Sequence, residues 1–331
     1  MNESLTPEAI LTDVSRGKIN QNLAVDLLLS LIEKSNNLKL REDCIRALHK
    51  LSIPKEMLED VYKTIESCLL SDESQFVRNS AAILISEQLL KYGEDALTWT
   101  IQHDSSPLII NTLIKIFLEK SKNVSIELTE ALQNWLLNYS DKIGIVMEES
   151  LFFLEVECLF AQYIQNYEIS IDSITYFQHI SNVKNPNPFI FIKNRHVESL
   201  NFKFYNWLYL KRNQDIINSF IKIKDLDSFL SLYKQYDLVF KNPNTVPSSI
   251  GHLTCLKVLN LSGNEIRTIP NFIFSLSNLQ ELDLSNNRIE TIPTLISKLK
   301  QLKLFNLKNN NLHNIPSKLE EYLNSLNTFQ Y

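Results

Sequence analysis

Four carboxylates crowd into "MEESLFFLEVECLF": Glu148, Glu149, Glu155 and Glu157. Acidic side chains so close in sequence are able to face a metal ion or a basic partner. On a helix the same spacing makes a solvated face, and the reading taken here is the wet side of an amphipathic helix. The histidines give no stronger sign. His49, His103, His179, His196, His252 and His313 are scattered, and none forms a His-x-x-x-His or His-Glu-x-x-His pair. Cys44, Cys68, Cys158 and Cys255 lie far apart with no Cys-x-x-Cys pair, and three of them fall in helix-like patterns where a buried thiol is usual. No G-x-S-x-G, no phosphate-binding G-x-x-x-x-G-K-[ST] and no dinucleotide fingerprint occurs. The expectation is a protein with no catalytic residues, no metal and no cofactor.

Composition narrows the field further. The 331 residues are 44% apolar and 21% charged, enough for two domains with sizeable cores. With 5 glycines and 10 prolines, long flexible linkers are not expected. A net charge of −5 and the absence of a Lys/Arg run exclude general attraction to nucleic acid or to an anionic membrane. "NLAVDLLLSLI" is broken by Asp26, and "PLIINTLIKIFL" contains Asn111 and Lys115, so neither supplies a membrane span. "MNESLTPEAILTDVSRGK" reads as the start of a helix rather than a signal peptide. A reducing, cytoplasmic setting is expected.

The elements that must carry any function fall into two halves. Before residue 186 only Pro7, Pro54 and Pro107 occur, each at the start of an apolar-periodic stretch, as suits the first turn of a helix. Leu58, Val61, Ile65 and Cys68 form one helical stripe. In "DESQFVRNSAAILISEQLLKYG", Asp72 and Gln75 are expected to cap the start of a helix and Gly93 its end. Leu40, Cys44 and Ala47 keep steps of 4 and 3; so do Val77, Ala81 and Leu84, and Ile109, Leu113 and Ile116. "DESQFVRNSAAILI" resembles the second helix of a HEAT repeat through Asp72, Val77, Arg78 and Ala81. "LREDCIRAL" resembles it more weakly through Arg41 and Cys44. A third stretch, ending in "PLIINTLIKI", keeps an aspartate at Asp104 but has Ile110 where the arginine belongs. The resemblance implies a HEAT/armadillo-like α-helical repeat domain over 1–165, in which the aspartate caps a helix and the arginine pairs with acidic groups of the next repeat.

Residues 166–196 read as a junction: "NPNP" forbids continuous helix, and "FIFIKNRHVESLNF" alternates like two short strands around a polar turn at Asn194 and Arg195. Beyond it one frame is written three times at a 23-residue interval: "LKVLNLSGNEIRTIP", "LQELDLSNNRIETIP" and "LKLFNLKNNNLHNIP". Alternate residues of a strand point to opposite sides, so Leu282 and Leu284 point inward and Asp283 outward. One such unit cannot bury its apolar side alone, and stacked copies share a core. Where each strand ends, the turning backbone needs hydrogen-bond partners, and Asn264, Asn287 and Asn310 are placed to provide them as a structural ladder. This L-x-x-L-x-L-x-x-N-x-I-x-x-I-P frame resembles the leucine-rich repeat. The resemblance implies a C-terminal α/β solenoid with a parallel sheet over 197–331, making the whole an α+β multidomain chain. Five units are read, starting near 197, 226, 256, 279 and 302, the first two degraded. Pro270, Pro293 and Pro316 fix the backbone as it enters the convex side. "SKLEEYLNSLNTFQY" is expected to close the stack as a helix, burying Leu319, Tyr322, Leu323 and Leu326.

Function is then expected in surfaces. Lys257, Asn260, Ser262, Gln280, Glu281, Asp283, Ser285, Lys303, Asn306 and Lys308 point outward from the strands and are expected to line a concave face for protein partners. A preformed sheet loses little conformational entropy on binding. The resemblance to intracellular 23-residue repeats implies a non-enzymatic scaffold or adaptor and names a small GTPase as one candidate partner. Two alternatives stand beside it: a nucleic-acid enzyme resembling HEAT-like DNA glycosylases, with Trp99 and Trp135 as its aromatic residues, and a stable regulatory subunit of a larger complex.

Overall fold

The structure is a computed structural model describing residues 6–119, 124–163, 190–201, 246–264 and 266–331. Two compact units divide at Leu136/Leu137, ahead of the junction read from sequence at 166. The "NPNP" stretch and the apolar residues Phe220, Ile223, Leu226 and Phe229 lie outside the described residues.

The first unit is helical. Its elements are α1 (Pro7–Ser15), α2 (Gln21–Lys34), α3 (Leu38–His49), α4 (Leu58–Ser71), α5 (Gln75–Gln88), α6 (Leu90–His103) and α7 (Pro107–Ile114), with a π-helical turn at Lys115–Glu119. Helix α8 (Ile126–Ile143) starts here and runs past the boundary. Side-chain oxygens of Thr6, Asn20 and Asn37 accept from the amides of Ala9, Leu23 and Leu40, so the first three helices start where a polar residue covers an orphan N–H. Helices α3, α5 and α7 pack in succession as one layer, and α2, α4 and α6 as another. The stripes read from sequence supply the core between them: Val61 and Ile65 of α4, and Val77, Ala81 and Leu84 of α5, are fully buried.

Two helix ends differ from the sequence reading. Ser74, not Asp72, is the N-cap of α5. Asp72 is engaged elsewhere, because its carboxylate faces Arg41, with Nε 2.9 Å from Oδ2 and Nη2 donating to Oδ1 at 3.1 Å. Gln75 is drawn away too, accepting from Ser106 Oγ at 2.8 Å. Gly93 does not end α5, which stops at Gln88; it sits within α6 at φ −118° and ψ 16°. A Cβ there would meet Ile85 Cγ2 at 2.4 Å and Tyr62 Cε2 at 2.9 Å, so the glycine permits close packing rather than a left-handed cap.

The Arg41–Asp72 contact recurs one hairpin later. Arg78 donates from Nε to Asp104 Oδ2 at 2.7 Å and from Nη2 to Oδ1 at 3.3 Å. Asp72 Oδ1 accepts from Ser74 N at 2.9 Å, and Asp104 Oδ1 from Ser106 N at 2.8 Å. Each aspartate thus fixes the turn before one helix and binds an arginine from the helix stacked before it.

The second unit is built on a six-stranded sheet: β1 (Ile190–Lys193), β2 (His196–Asn201), β3 (Val258–Asn260), β4 (Glu281–Asp283), β5 (Leu304–Asn306) and β6 (Thr328–Gln330), in that spatial order. Strands β1 and β2 form an antiparallel hairpin through Asn194 and Arg195, at φ 52° and 67°. Positive φ at both central residues matches the twist of a two-residue hairpin. From β2 to β6 every pairing is parallel. Leu259, Leu282 and Phe305 stand in register on the inward side, all fully buried. Each 23-residue unit then passes through a proline (Pro247, Pro270, Pro293 or Pro316) at φ between −53° and −66° into a 3-10 turn. Helix α9 (Met147–Tyr163) packs on the first of these turns, Ser248–His252.

The unit read near 226 lies outside the described residues, and β2 pairs directly with β3. One sequence expectation is corrected here. The closing segment is not one helix: a short α10 (Glu320–Asn324) gives way to β6, which pairs with β5. Alternating "TFQY" suits a strand, and Phe329 stacks on Phe305 with ring centroids 5.7 Å apart. Leu319 and Leu323 are buried, while Tyr322 and Leu326 are half-buried.

The Arg78–Asp104 pair tests how the first unit is held. Removing one partner of a buried pair costs roughly 3–5 kcal/mol. Arg78 is 19% exposed and Asp104 8%, so Arg78→Ala should cost about 2–4 kcal/mol in chemical denaturation. A loss no larger than that of an exposed-lysine substitution such as Lys63→Ala would refute the role given to the pair.

Candidate interaction face

The turn that ends each strand is held from both sides. Asn287 Nδ2 donates to Leu284 O of its own unit at 2.8 Å and to Leu261 O of the preceding unit at 3.0 Å, while its Oδ1 accepts from Ile266 N at 3.1 Å. Asn310 repeats the pattern on Leu307 O at 2.7 Å, Leu284 O at 3.0 Å and Ile289 N at 2.9 Å. Asn264 donates to Leu261 O at 2.7 Å. Asn264 and Asn287 are buried and Asn310 half-buried. The residue just before each asparagine takes a left-handed conformation: Gly263 at φ 72°, Asn286 at 55° and Asn309 at 58°. Glycine and asparagine tolerate that region best. Asn309 also donates to Asn286 Oδ1 at 2.8 Å, a second, exposed step between units.

The outward face carries three rows. Lys257, Gln280 and Lys303 stand one residue before the strands. Val258, Glu281 and Leu304 align with Ser199 on one side and Thr328 on the other; Asn260, Asp283 and Asn306 align with Asn201 and Gln330. Glu281, Lys303 and Lys308 are exposed, and Lys257, Asn260, Gln280, Asp283 and Asn306 half-buried. Lys257 Nζ lies 2.7 Å from Glu198 Oε1, and that hydrogen bond holds the Glu198 carboxyl below its ordinary range.

Three of these positions also serve the backbone. Asn260 Oδ1 accepts from Ser262 N, Asp283 Oδ1 from Ser285 N and Asn306 Oδ1 from Lys308 N, at 2.9, 2.9 and 3.1 Å. Each closes a turn through its own side chain. Ser262 and Ser285 do not lie on the open face: they are 0% and 6% exposed. Val258 and Leu304, which the reading of a polar face passed over, are half-buried in the middle row. Their signal was available, since each immediately precedes an inward residue of the frame.

Residues 254–312 match the family model described as leucine rich repeat. A solved structure of a leucine-rich-repeat protein of Leptospira interrogans is 41% identical over 22% of this chain and 19% of that one, with a TM-score of 0.21. The chain thus spans about a fifth of that protein's length. No curated protein matches.

At the β2 side of the repeats, α9 departs most from its sequence reading. Of its four carboxylates only Glu148 is exposed; Glu149 is 1% exposed, Glu157 5%, and Glu155 half-buried. They bind rather than solvate. Glu149 Oε1 lies 2.9 Å from His196 Nδ1, and its Oε2 accepts from Val197 N at 2.7 Å. Glu155 Oε2 accepts from the amide and hydroxyl of Ser249. Glu157 Oε1 accepts from Tyr139 at 2.8 Å, and burial, with Glu157 beside it, pushes the Tyr139 phenol well above its usual range. The hairpin turn adds Arg195, which pairs with Asp141 at 2.5 Å and donates to Ile145 O at 3.1 Å. Sequence spacing misplaced these carboxylates because the helical residues around them are mostly apolar or acidic, leaving little neutral polar surface to anchor the phase. The structure also brings Cys255 beside Glu149 and His196, a grouping separated too widely in sequence to be seen there.

Asn287→Ala would unpair Ile266 N and take one of two side-chain donors from each of the Leu261 and Leu284 carbonyls. At roughly 1–3 kcal/mol for a buried group left unsatisfied, a loss of about 2 kcal/mol is expected by urea denaturation, and less for the half-buried Asn310→Ala. Equal, sub-kilocalorie losses at both sites would contradict the ladder's structural role.

Proposed function

We propose that the protein is a non-enzymatic scaffold or adaptor that binds a protein partner on the outward face of its repeat sheet, the concave face of a leucine-rich-repeat solenoid. The observation that carries this reading is the middle row: Val258, Glu281 and Leu304 stand side by side in parallel register, giving one acidic group between two partly exposed apolar ones. Apolar anchors beside a charge are what a protein interface uses, the anchors for affinity and the charge for orientation. Lys303 and Lys308 at one side complement an acidic patch on the partner. Leucine-rich repeats are generally protein-interaction modules, which agrees with this role. A small GTPase has no observation behind it in this molecule and is not part of the proposal.

For the first unit we propose a HEAT/armadillo-like helical repeat, supported by the two stacked layers and by the Arg41–Asp72 and Arg78–Asp104 pairs. No described helix is long and apolar enough to cross a membrane. We place the protein in the cytoplasm on the free state of all four cysteines.

The test is affinity capture from the native cell with the full chain and with a Val258→Glu, Glu281→Lys, Leu304→Glu variant. These substitutions leave the side-chain-closed turns and the asparagines untouched. At least one directly bound protein should lose about tenfold or more in affinity, equivalent to about 1.4 kcal/mol, with an unchanged melting curve. If every captured protein binds the variant as well as the native chain, the face is not the binding surface.

A further inference from the structure

Glu149 comes from α9, His196 from β2 and Cys255 from the turn ahead of β3, yet one donor atom of each lies within 4.8 Å of the others. Three features set this group apart. Glu149 is a buried carboxylate whose partners among the described residues are a histidine and the Val197 amide, a setting in which a buried carboxylate favours a cation beside it. The Val197 N–H and the first turn of α9 both favour and orient the ionised carboxylate, as supporting contacts do for a metal ligand. Cys255 is the half-buried thiol of the four, whereas Cys44, Cys68 and Cys158 are buried, with burial pushing the thiols of Cys44 and Cys68 up to about 12 and about 11. In the following two repeats the position of Cys255 is taken by Asn278 and Gln301, so the thiol belongs to the repeat that faces the histidine and the acid.

We propose that Glu149, His196 and Cys255 are the protein ligands of a zinc ion. A thiolate, an imidazole and a carboxylate form a donor set of mixed softness that suits zinc over magnesium or calcium. Bonds of roughly 2.0–2.3 Å in tetrahedral geometry separate ligand atoms by roughly 3–4 Å, close to the spacing present. Three protein ligands leave a fourth position for water. On binding, the Cys255 thiol proton leaves to solvent, and the ring nitrogen that takes the metal gives up any proton it carries. The ion would tie α9 to β2 and to the first regular repeat. This inference is independent of the partner-binding role.

The experiment uses the full chain, reduced and stripped of metal, titrated with cobalt(II) and then zinc. One equivalent of cobalt should develop a thiolate-to-cobalt charge-transfer band with the visible bands of a tetrahedral site, and zinc should abolish them. Supporting contacts alone are worth about 10–100-fold in metal affinity. Cys255→Ser should therefore lose the thiolate band and weaken zinc binding at least about tenfold. Should that variant misfold by circular dichroism, alkylation of the native chain mapped by mass spectrometry replaces it: zinc should protect Cys255. No thiolate band in the native chain, a band that survives Cys255→Ser, or Cys255 alkylation unaffected by zinc would each overturn the assignment.

Discussion

A backbone that turns inside an apolar core must find hydrogen-bond partners there, and this single requirement shapes the second unit. A three-residue strand followed by a tight turn cannot satisfy its own carbonyls with backbone alone. Asn287 and Asn310 solve the problem for two units at once, each bonding a carbonyl of its own turn and the equivalent carbonyl one unit back. The amide thereby couples neighbours in register, so the stack's spacing follows from its hydrogen bonds as much as from its leucines. A carboxylate in the same place would lack donors, and an apolar residue would leave the Ile266 or Ile289 amide without its acceptor.

A repeated unit carries its own difficulty at the ends, where one apolar side has no next copy. The two sides of the sheet meet this in different ways. Beyond β5, β6 continues the pairing, and Phe329 and Phe305 extend the stacked core. Beyond β3, the β1–β2 hairpin extends the sheet while α9 lies on the 3-10 turn of the first regular repeat. Its carboxylates bind serine and histidine groups that, in the middle of the stack, would face another repeat. Capping by charged groups demands strict pairing, since a buried carboxylate without partners costs several kcal/mol. That demand accounts for Glu149, Glu155 and Glu157 each having a partner.

These features were unequally legible in the sequence. The frame from Leu256 to Pro316 could be read because each position repeats under the same constraint, so inward residue, asparagine and proline recur at one interval. The hairpin at Asn194 and Arg195 was legible for a local reason: alternation on both sides of a polar pair. What failed was anything set by one-off contacts across long separations. Glu149 looks solvated until Val197 and His196 are brought to it from 47 and more residues away. Asp72 looks like a cap until Arg41 claims it from the preceding hairpin. The closing segment was misread because Leu319, Tyr322, Leu323 and Leu326 keep a helical spacing, while the pairing of Thr328–Gln330 with β5 is non-local.

The same hydrogen bonds decide which part of the outward face is free to recognise a partner. Asn260, Asp283 and Asn306 point out of the sheet but fold back to close their turns, so changing them disturbs the backbone as well as the surface. Ser262 and Ser285 are covered. The residues without such a duty are those two and three places earlier in each unit: Lys257 and Val258, Gln280 and Glu281, Lys303 and Leu304. These can vary in charge and size while the ladder behind them stays fixed. A sheet held in this way separates the residues that make it from those that give it specificity, and the separation runs between adjacent positions of the same short strand.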